Sequence, residues 1–127
     1  MSNNKRKRRT NPDFLNGVPE LVVLQLLQRR AMYGYELVQA IREESACTLD
    51  FGEGCIYPLL HKLEERGDLA SRRIQVGPRS RVVYRVTPKG NRSLAATATQ
   101  WSQISAAITN IMQGSKHVAA RFARQVV

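Results

Sequence analysis

Beyond Asp68 the chain has no carboxylate side chain: all ten acidic residues fall between Asp13 and Asp68. Other absences narrow the possible functions. The apolar runs are short, Leu21 to Leu24 being typical, and the basic start Lys5 to Arg9 leads into Asn11, Pro12 and Asp13 instead of an apolar stretch. Neither a membrane span nor a secretory signal is expected from that pattern. Cys47 and Cys55 are the two cysteines, and they lack both C-x-x-C spacing and neighbouring histidines. A zinc site and a dithiol redox motif are therefore not expected, and the two residues read as reduced cytosolic thiols. There is no phosphate-binding glycine loop, no carboxylate pair beyond the second and third helical segments, and His61 and His117 stand far apart. Neither an enzyme nor a cofactor or metal site is expected from such a set.

What is present is basic charge with a location. Residues 1–10 carry five basic groups, residues 11–68 carry five against ten acids, and residues 69–127 carry ten, for a net charge of +10. A chain polarised in this way gains counterion-release free energy by meeting a polyanion such as duplex DNA. A membrane surface would also attract it, but no strongly amphipathic basic helix is available to insert. With 127 residues, the chain has room for one domain with appendages.

Residues 1–13 are polar and basic with nothing to bury and read as a disordered arm, the alternatives being a solubility or localisation run. From Pro19 an almost wholly apolar segment, with Glu20 at its positive dipole end, predicts a central buried helix. After a break at Ala31 to Tyr33, Gly34 opens a second helix with Leu37, Val38 and Ile41 at three-and-four spacing through Glu44. Ser45 to Gly54 reads as a turn. Ile56, Leu59, Leu60 and Leu63 mark a third helix ending at Gly67, which suits a left-handed C-cap. Pro58 has no amide hydrogen for an interior helical bond, so this helix is expected to start near Gly54 to Ile56. The period then becomes two. Leu69 to Val76 and Arg81 to Val86 alternate around the turn Gly77-Pro78-Arg79-Ser80 and predict a two-stranded hairpin. Thr87-Pro88 supplies an N-cap and a first-turn proline for a long last helix, running to about Gln113 before Gly114.

Three helices, a hairpin and a long helix make a mainly α fold with a small β wing: a winged helix-turn-helix plus a C-terminal dimerisation helix. The expected domains are the arm at 1–13, the DNA-binding domain at 14–86, the dimerisation helix at 87–113 and a basic tail at 114–127. In this arrangement the third helix enters a major groove and the wing follows the backbone or minor groove. The polar positions of the third helix are Tyr57, Pro58, His61, Lys62 and Glu65, with the acids placed late and the positive helix end toward DNA. The blander alternative makes Tyr57 a half-exposed packing aromatic and His61 a solvated imidazole. Arg72, Arg73, Arg79, Arg81 and Arg85 crowd a hairpin with no core to hold them and fit phosphate contacts.

The segments Tyr33-Gly34-Tyr35-Glu36-Leu37, Gly54-Cys55-Ile56-Tyr57-Pro58 continuing through Leu60, Leu63, Glu64, Glu65 and Gly67, and Gly77-Pro78-Arg79-Ser80 with Tyr84-Arg85-Val86-Thr87 and Gly90 together resemble the PadR family of bacterial regulators. The resemblance covers about Pro19 to Leu94. It implies a cytoplasmic, nucleoid-associated dimeric repressor with recognition helices in successive major grooves of double-stranded DNA. By that resemblance Tyr35 and Tyr57 meet the DNA backbone, the early third helix faces bases and the wing arginines hold the flank. Gly54, Cys55, Pro58, His61, Lys62, Arg79, Ser80 and Arg81 thus join the two tyrosines as DNA-binding candidates. Cys55 departs from the threonine or serine that members often carry, which removes the hydroxyl contact to phosphate that such a residue would make. A helix N-terminus would lower its pKa, which makes oxidation a conceivable control. A sequence-tolerant architectural nucleic-acid binder and a protein-interaction module are the alternatives to a site-specific regulator.

In the last helix Leu94, Trp101 and Ile108 are seven apart, with Thr97, Ile104 and Ile111 interleaved, which is an a/d seam. A helix of about 26 residues, roughly 39 Å long, exceeds what a winged domain covers and is expected to pair with a second copy. The alternative is packing against the chain's own first helix. The family resemblance adds a small aromatic or cationic inducer bound between subunits, for which Trp101 is the candidate lining residue; a tryptophan on an apolar stripe is otherwise simply core.

Overall fold

The computed structural model describes residues 17–114. The expected arm at 1–13, the start of the expected DNA-binding domain and the tail beyond Gly114 lie outside the described residues. Helix α1 (Val18–Arg29) has Pro19 in its first turn and Glu20 at its N-terminal end, and it buries Val23, Leu24, Leu26 and Leu27. A two-residue strand β1 (Met32–Tyr33) leads into α2 (Gly34–Glu44), which buries Leu37, Val38 and Ile41. The Glu36 carboxylate reaches back to accept the Tyr33 amide hydrogen at 3.1 Å, occupying one of the donors that a helix start leaves open.

Between α2 and α3 the chain passes through the left-handed region at Ala46 and Cys47, with φ of 50° and 63°. The Ser45 hydroxyl fastens this bend, donating to the Ile41 carbonyl at 2.6 Å and accepting the Leu49 amide at 2.9 Å. Phe51, which lies in the segment read as a turn, is fully buried. Helix α3 (Glu53–Glu65) buries Ile56, Leu60 and Leu63. It starts at Glu53, just before the expected range, so Pro58 lies in the helix interior. The missing proline donor leaves the Gly54 carbonyl without its helical partner, and Gly54 lies on the exposed side where solvent reaches it. The helix closes at Gly67 (φ +85°), where Gly67 N–H donates to Glu64 and Asp68 N–H to Leu63, each at 2.9 Å. That pair of bonds is the Schellman closure that a C′ glycine allows.

Strands β2 (Leu69–Val76) and β3 (Arg79–Val86) pair antiparallel from Leu69↔Val86 to Val76↔Arg79. Gly77, at φ +59°, takes the positive-φ position of the two-residue turn, and Pro78 follows. The wing has three strands where two were expected: β1 adds to the free edge of β3 through Met32↔Tyr84 and Tyr33↔Val83, giving the order β1-β3-β2. Two residues are too few to show alternation, which is why β1 reads only as a break in the sequence. Met32, Leu69 and Tyr84 join the helical residues in one core, where each fully buried large apolar side chain contributes about 1.5–3 kcal/mol.

Helix α4 (Pro88–Met112) opens as its sequence predicts, with the Thr87 hydroxyl accepting the Gly90 amide at 3.0 Å. The chain divides into two units after Leu94, within this helix. The first two turns of α4 therefore belong to the winged unit, and Leu94 is buried in its core. The expected boundary at Val86 falls short because a helix start carries no sign of where its packing ends.

One ionised group ties α3, the wing and α4 together. Asp68 is fully buried, and its carboxylate accepts from Arg66 at 2.6 Å and from the Ser93 hydroxyl at 3.0 Å, with Lys89 Nζ 3.6 Å away. Arg66 also pairs with Glu20 of α1 at 2.6 Å. The Asp68 carbonyl accepts the Thr87 amide at 3.0 Å and the Thr87 hydroxyl at 3.1 Å. Gly90 passes so close that a Cβ there would lie 2.1 Å from that carbonyl oxygen, a backbone clash no rotamer relieves. Burial works against the Asp68 charge, but the hydrogen bonds from Arg66 and Ser93 and the charges of Arg66 and Lys89 outweigh it, and its pKa is held below the ordinary carboxylate value.

A group depressed in this way stabilises the fold fully above its unfolded pKa, about 3.9, and loses that contribution as pH falls through the folded value. Asp68→Asn is expected to cost about 1–3 kcal/mol near neutrality. In urea titrations repeated at descending pH, the gap between wild type and variant stays constant above about pH 5 and narrows below about pH 4.

Candidate nucleic-acid interface

The exposed side of α3 carries Gly54, Tyr57, Pro58, His61 and Lys62, while Cys55 is half-buried at its edge. These positions recur every three or four residues, so the burial of Ile56, Leu60 and Leu63 turns them outward together. Gly54 has nothing within 4 Å of the position a Cβ would take. Its backbone is open to close approach by another molecule. Glu53, in the same first turn and also exposed, is a polar neighbour that the sequence reading did not single out.

Helix α2 joins this surface at its N-terminus. A Cβ on Gly34 would lie 2.4 Å from Cε1 of Tyr57 and 2.9 Å from its hydroxyl. The Tyr57 ring thus lies directly on the Gly34 backbone, which only glycine permits. Tyr35, the next residue, is 51% exposed. The resemblance motifs around Gly34 and Tyr57, well separated in the chain, form a single contact. Tyr84 is buried near them, and burial first, then the charges of Glu64 and Tyr57, push its phenol pKa up.

The wing is fixed to α3 at its base, where the Ser71 hydroxyl donates to Glu64 at 2.6 Å. Farther out Arg72, Arg73, Gln75, Val76, Pro78, Arg79 and Ser80 are all exposed, and neither strand contains an acid. Arg73 donates to the Ser80 hydroxyl across the strands at 3.2 Å. The register divides the arginines: Arg72, Arg79, Arg81 and Arg85 share one face of the hairpin, and Arg73 lies on the other with Tyr84 and Leu69. Arg81 differs from the rest. Its guanidinium stacks 4.6 Å from the centroid of the Tyr33 ring, and its Nε is buried with no hydrogen-bond partner.

Cys55 does not carry the depressed pKa expected of a thiol at a helix start. Burial pushes its thiol up, which lowers the reactive thiolate fraction. Among the described residues no cluster of His, Cys, Asp or Glu is placed to hold a metal. On α4, Trp101, Ile104, Ile108 and Ile111 are 44–76% exposed and follow a three-and-four spacing. Leu94, the first residue of the expected seam, is instead covered by the winged unit's own core, because it lies on the turn of α4 that packs there.

Helices α1 to α3 followed by a wing, with α3 presenting one polar side next to an acid-free arginine hairpin, define a winged helix-turn-helix protein. The chain belongs to the PadR-like family of transcriptional regulators, whose family model matches residues 23–96. It is a family of regulators and not of enzymes. A PadR family regulator from Eggerthella lenta is similar in structure, with a TM-score of 0.70 and 29% identity, covering 80% of this chain and 87% of that one. A transcriptional regulator of Mycobacterium tuberculosis is 35% identical over 66 residues, 52% of this chain and 59% of that protein. Bacillus subtilis PadR in complex with operator DNA matches with a TM-score of 0.59 and 26% identity over 62% of this chain and 45% of that one.

If the Gly34 contact sets the position of Tyr57, Gly34→Ala displaces the ring without opening the core. The expected result is a loss of less than about 1.5 kcal/mol in thermal unfolding, together with a drop in duplex affinity of about tenfold or more in fluorescence anisotropy.

Proposed function

We propose that the chain is a site-specific DNA-binding repressor that reads a two-fold operator as a homodimer and is released by a small molecule. The observation that carries this reading is the shared exposure of the α3 polar side, Tyr35 and the wing tip Arg79-Ser80 on one winged unit. In this reading Gly54, Cys55, Pro58, His61 and Lys62 line a major groove, with Tyr35 and Tyr57 on the backbone. Arg79 and Ser80 hold phosphates beside them. The DNA complex of the Bacillus subtilis relative supports this placement. A DNA partner implies a cytoplasmic, nucleoid-associated location. No described helix is long and apolar enough to cross a membrane.

The second copy pairs through Trp101, Ile104, Ile108 and Ile111. A stripe of large apolar side chains left open on a single chain supports this pairing. An aromatic or cationic inducer would bind against Trp101, whose indole offers it a face. The arm 1–13 and the tail 114–127 add basic charge, and the arm suits minor-groove tracking.

Binding to the chain's own upstream promoter and to a scrambled duplex, across a salt series, tests the function. A preference of about a thousandfold or more for the promoter is expected, and Arg79→Ala, which removes one phosphate contact from each subunit of the dimer, should lower the salt slope by about two. Equal, strongly salt-dependent affinities would point to an architectural binder, and no binding to a protein-interaction module. For the dimer, sedimentation of Ile104→Asp with Ile108→Asp should show a monomer where wild type is dimeric, with promoter affinity reduced at least about tenfold.

A further inference from the structure

The proposed interface uses the wing arginines as phosphate contacts, yet Arg81 is placed differently from its neighbours. Its guanidinium lies over the Tyr33 ring, 4.6 Å from the centroid, and its Nε is buried. Arg72, Arg73, Arg79 and Arg85 are exposed, whereas Arg81 is half-buried. The register explains the contact. Tyr33 pairs with Val83, and Arg81 is two residues before Val83 on β3, so it shares that face and lies one pleat closer to the tip.

Tyr33 is also the N-cap of α2, with its amide bonded to Glu36. Gly34 and Tyr35 follow it directly, so Tyr33 is the junction between the wing and the helix start against which Tyr57 packs. Strand β1 contributes only two residue pairs, Met32↔Tyr84 and Tyr33↔Val83, to hold β3 at that edge. Beyond them the hairpin projects with exposed residues on both faces. A flat cation stacked on Tyr33 extends the attachment outward by one pleat.

We propose that Arg81 is a positioning residue: stacked on Tyr33, it locks the wing to the N-terminus of α2 and so sets the spacing between the wing tip and the polar side of α3, without itself neutralising a phosphate. This rests on the DNA-binding reading above and assigns one of its basic residues a different task. A planar guanidinium stacks on a ring in a way the compact ammonium of lysine does not reproduce. The stack therefore separates Arg81 from a contact that needs charge alone.

The test is a set of three single variants and one double in the full chain: Arg81→Leu, Arg81→Lys, Tyr33→Leu, and Arg81→Leu with Tyr33→Leu. Promoter affinity across a salt series is read together with amide hydrogen exchange of the DNA-free protein at Tyr84 and Val83. The expected result is that each single variant lowers affinity by about five- to tenfold, with Arg81→Lys included and with the salt slope unchanged. The double variant is no weaker than either leucine single, and wing exchange accelerates in all of them. The proposal is overturned if Arg81→Leu lowers the slope by about two, one contact per subunit of the dimer, while Arg81→Lys keeps wild-type affinity. It is also overturned if the Tyr33 and Arg81 effects multiply, or if wing exchange is unchanged. Should wild type itself fail to prefer its promoter, the DNA-binding reading falls, while the exchange comparison still decides whether the stack holds the wing.

Discussion

A single buried carboxylate sets the geometry of the winged unit. Asp68 follows the glycine that ends α3 and precedes the first residue of β2, so its backbone is the corner between recognition helix and wing. Its side chain holds Arg66 and Ser93, and through Arg66 it reaches Glu20 on α1. Its carbonyl receives Thr87, the cap of α4. An ionised group placed out of water would destabilise the fold if left alone. With its hydrogen bonds satisfied, it fixes the directions of four elements where apolar packing alone would tolerate a slide. The acid-free stretch that follows Asp68 leaves the wing unneutralised, so this last carboxylate serves the joint and the arginines beyond it remain available to a polyanion.

Several of the residues that mark the family acquire a physical reason here. Gly34 gives Tyr57 a surface to lie on, Glu36 caps the helix that begins there, Gly77 takes the positive φ of the wing turn, and Gly90 lets α4 pass the Asp68 carbonyl. None of these glycines serves flexibility. Each admits a close approach or a left-handed turn, and the approach at Gly34 brings the start of α2 onto the polar side of α3.

Elements with strong periodicity or cap chemistry were legible in the sequence. The apolar spacing of α2 and α3, the Gly67 closure and the Thr87-Pro88 start stand where the residue patterns place them. So does the hairpin, except that Arg79 and Ser80, read as part of the turn, pair with Val76 and Gln75 and start β3. Long-range consequences were not legible. Strand β1 is too short to alternate, Phe51 stands in a segment with neither helical nor strand period, and Leu94 reads as part of a seam because heptad spacing carries no record of which turn the core covers. Burial pushes the Cys55 thiol pKa up, an effect set by what packs around the residue and therefore not visible from its place at a helix start. Exposure on α3 followed from the period, whereas the withdrawal of Arg81 onto Tyr33 depends on a strand pairing the sequence does not display.

The central claim is that one surface, made of the polar side of α3, the start of α2 and the wing tip, meets duplex DNA. Amide chemical-shift mapping during titration with the promoter duplex tests it most directly. The account predicts that the largest perturbations fall at Tyr35, at Gly54 to Lys62 and at Val76 to Ser80, with the buried face of α1 little affected. Perturbations concentrated on α1 or on the Trp101 to Ile111 stripe, with α3 and the wing tip unchanged, would contradict it.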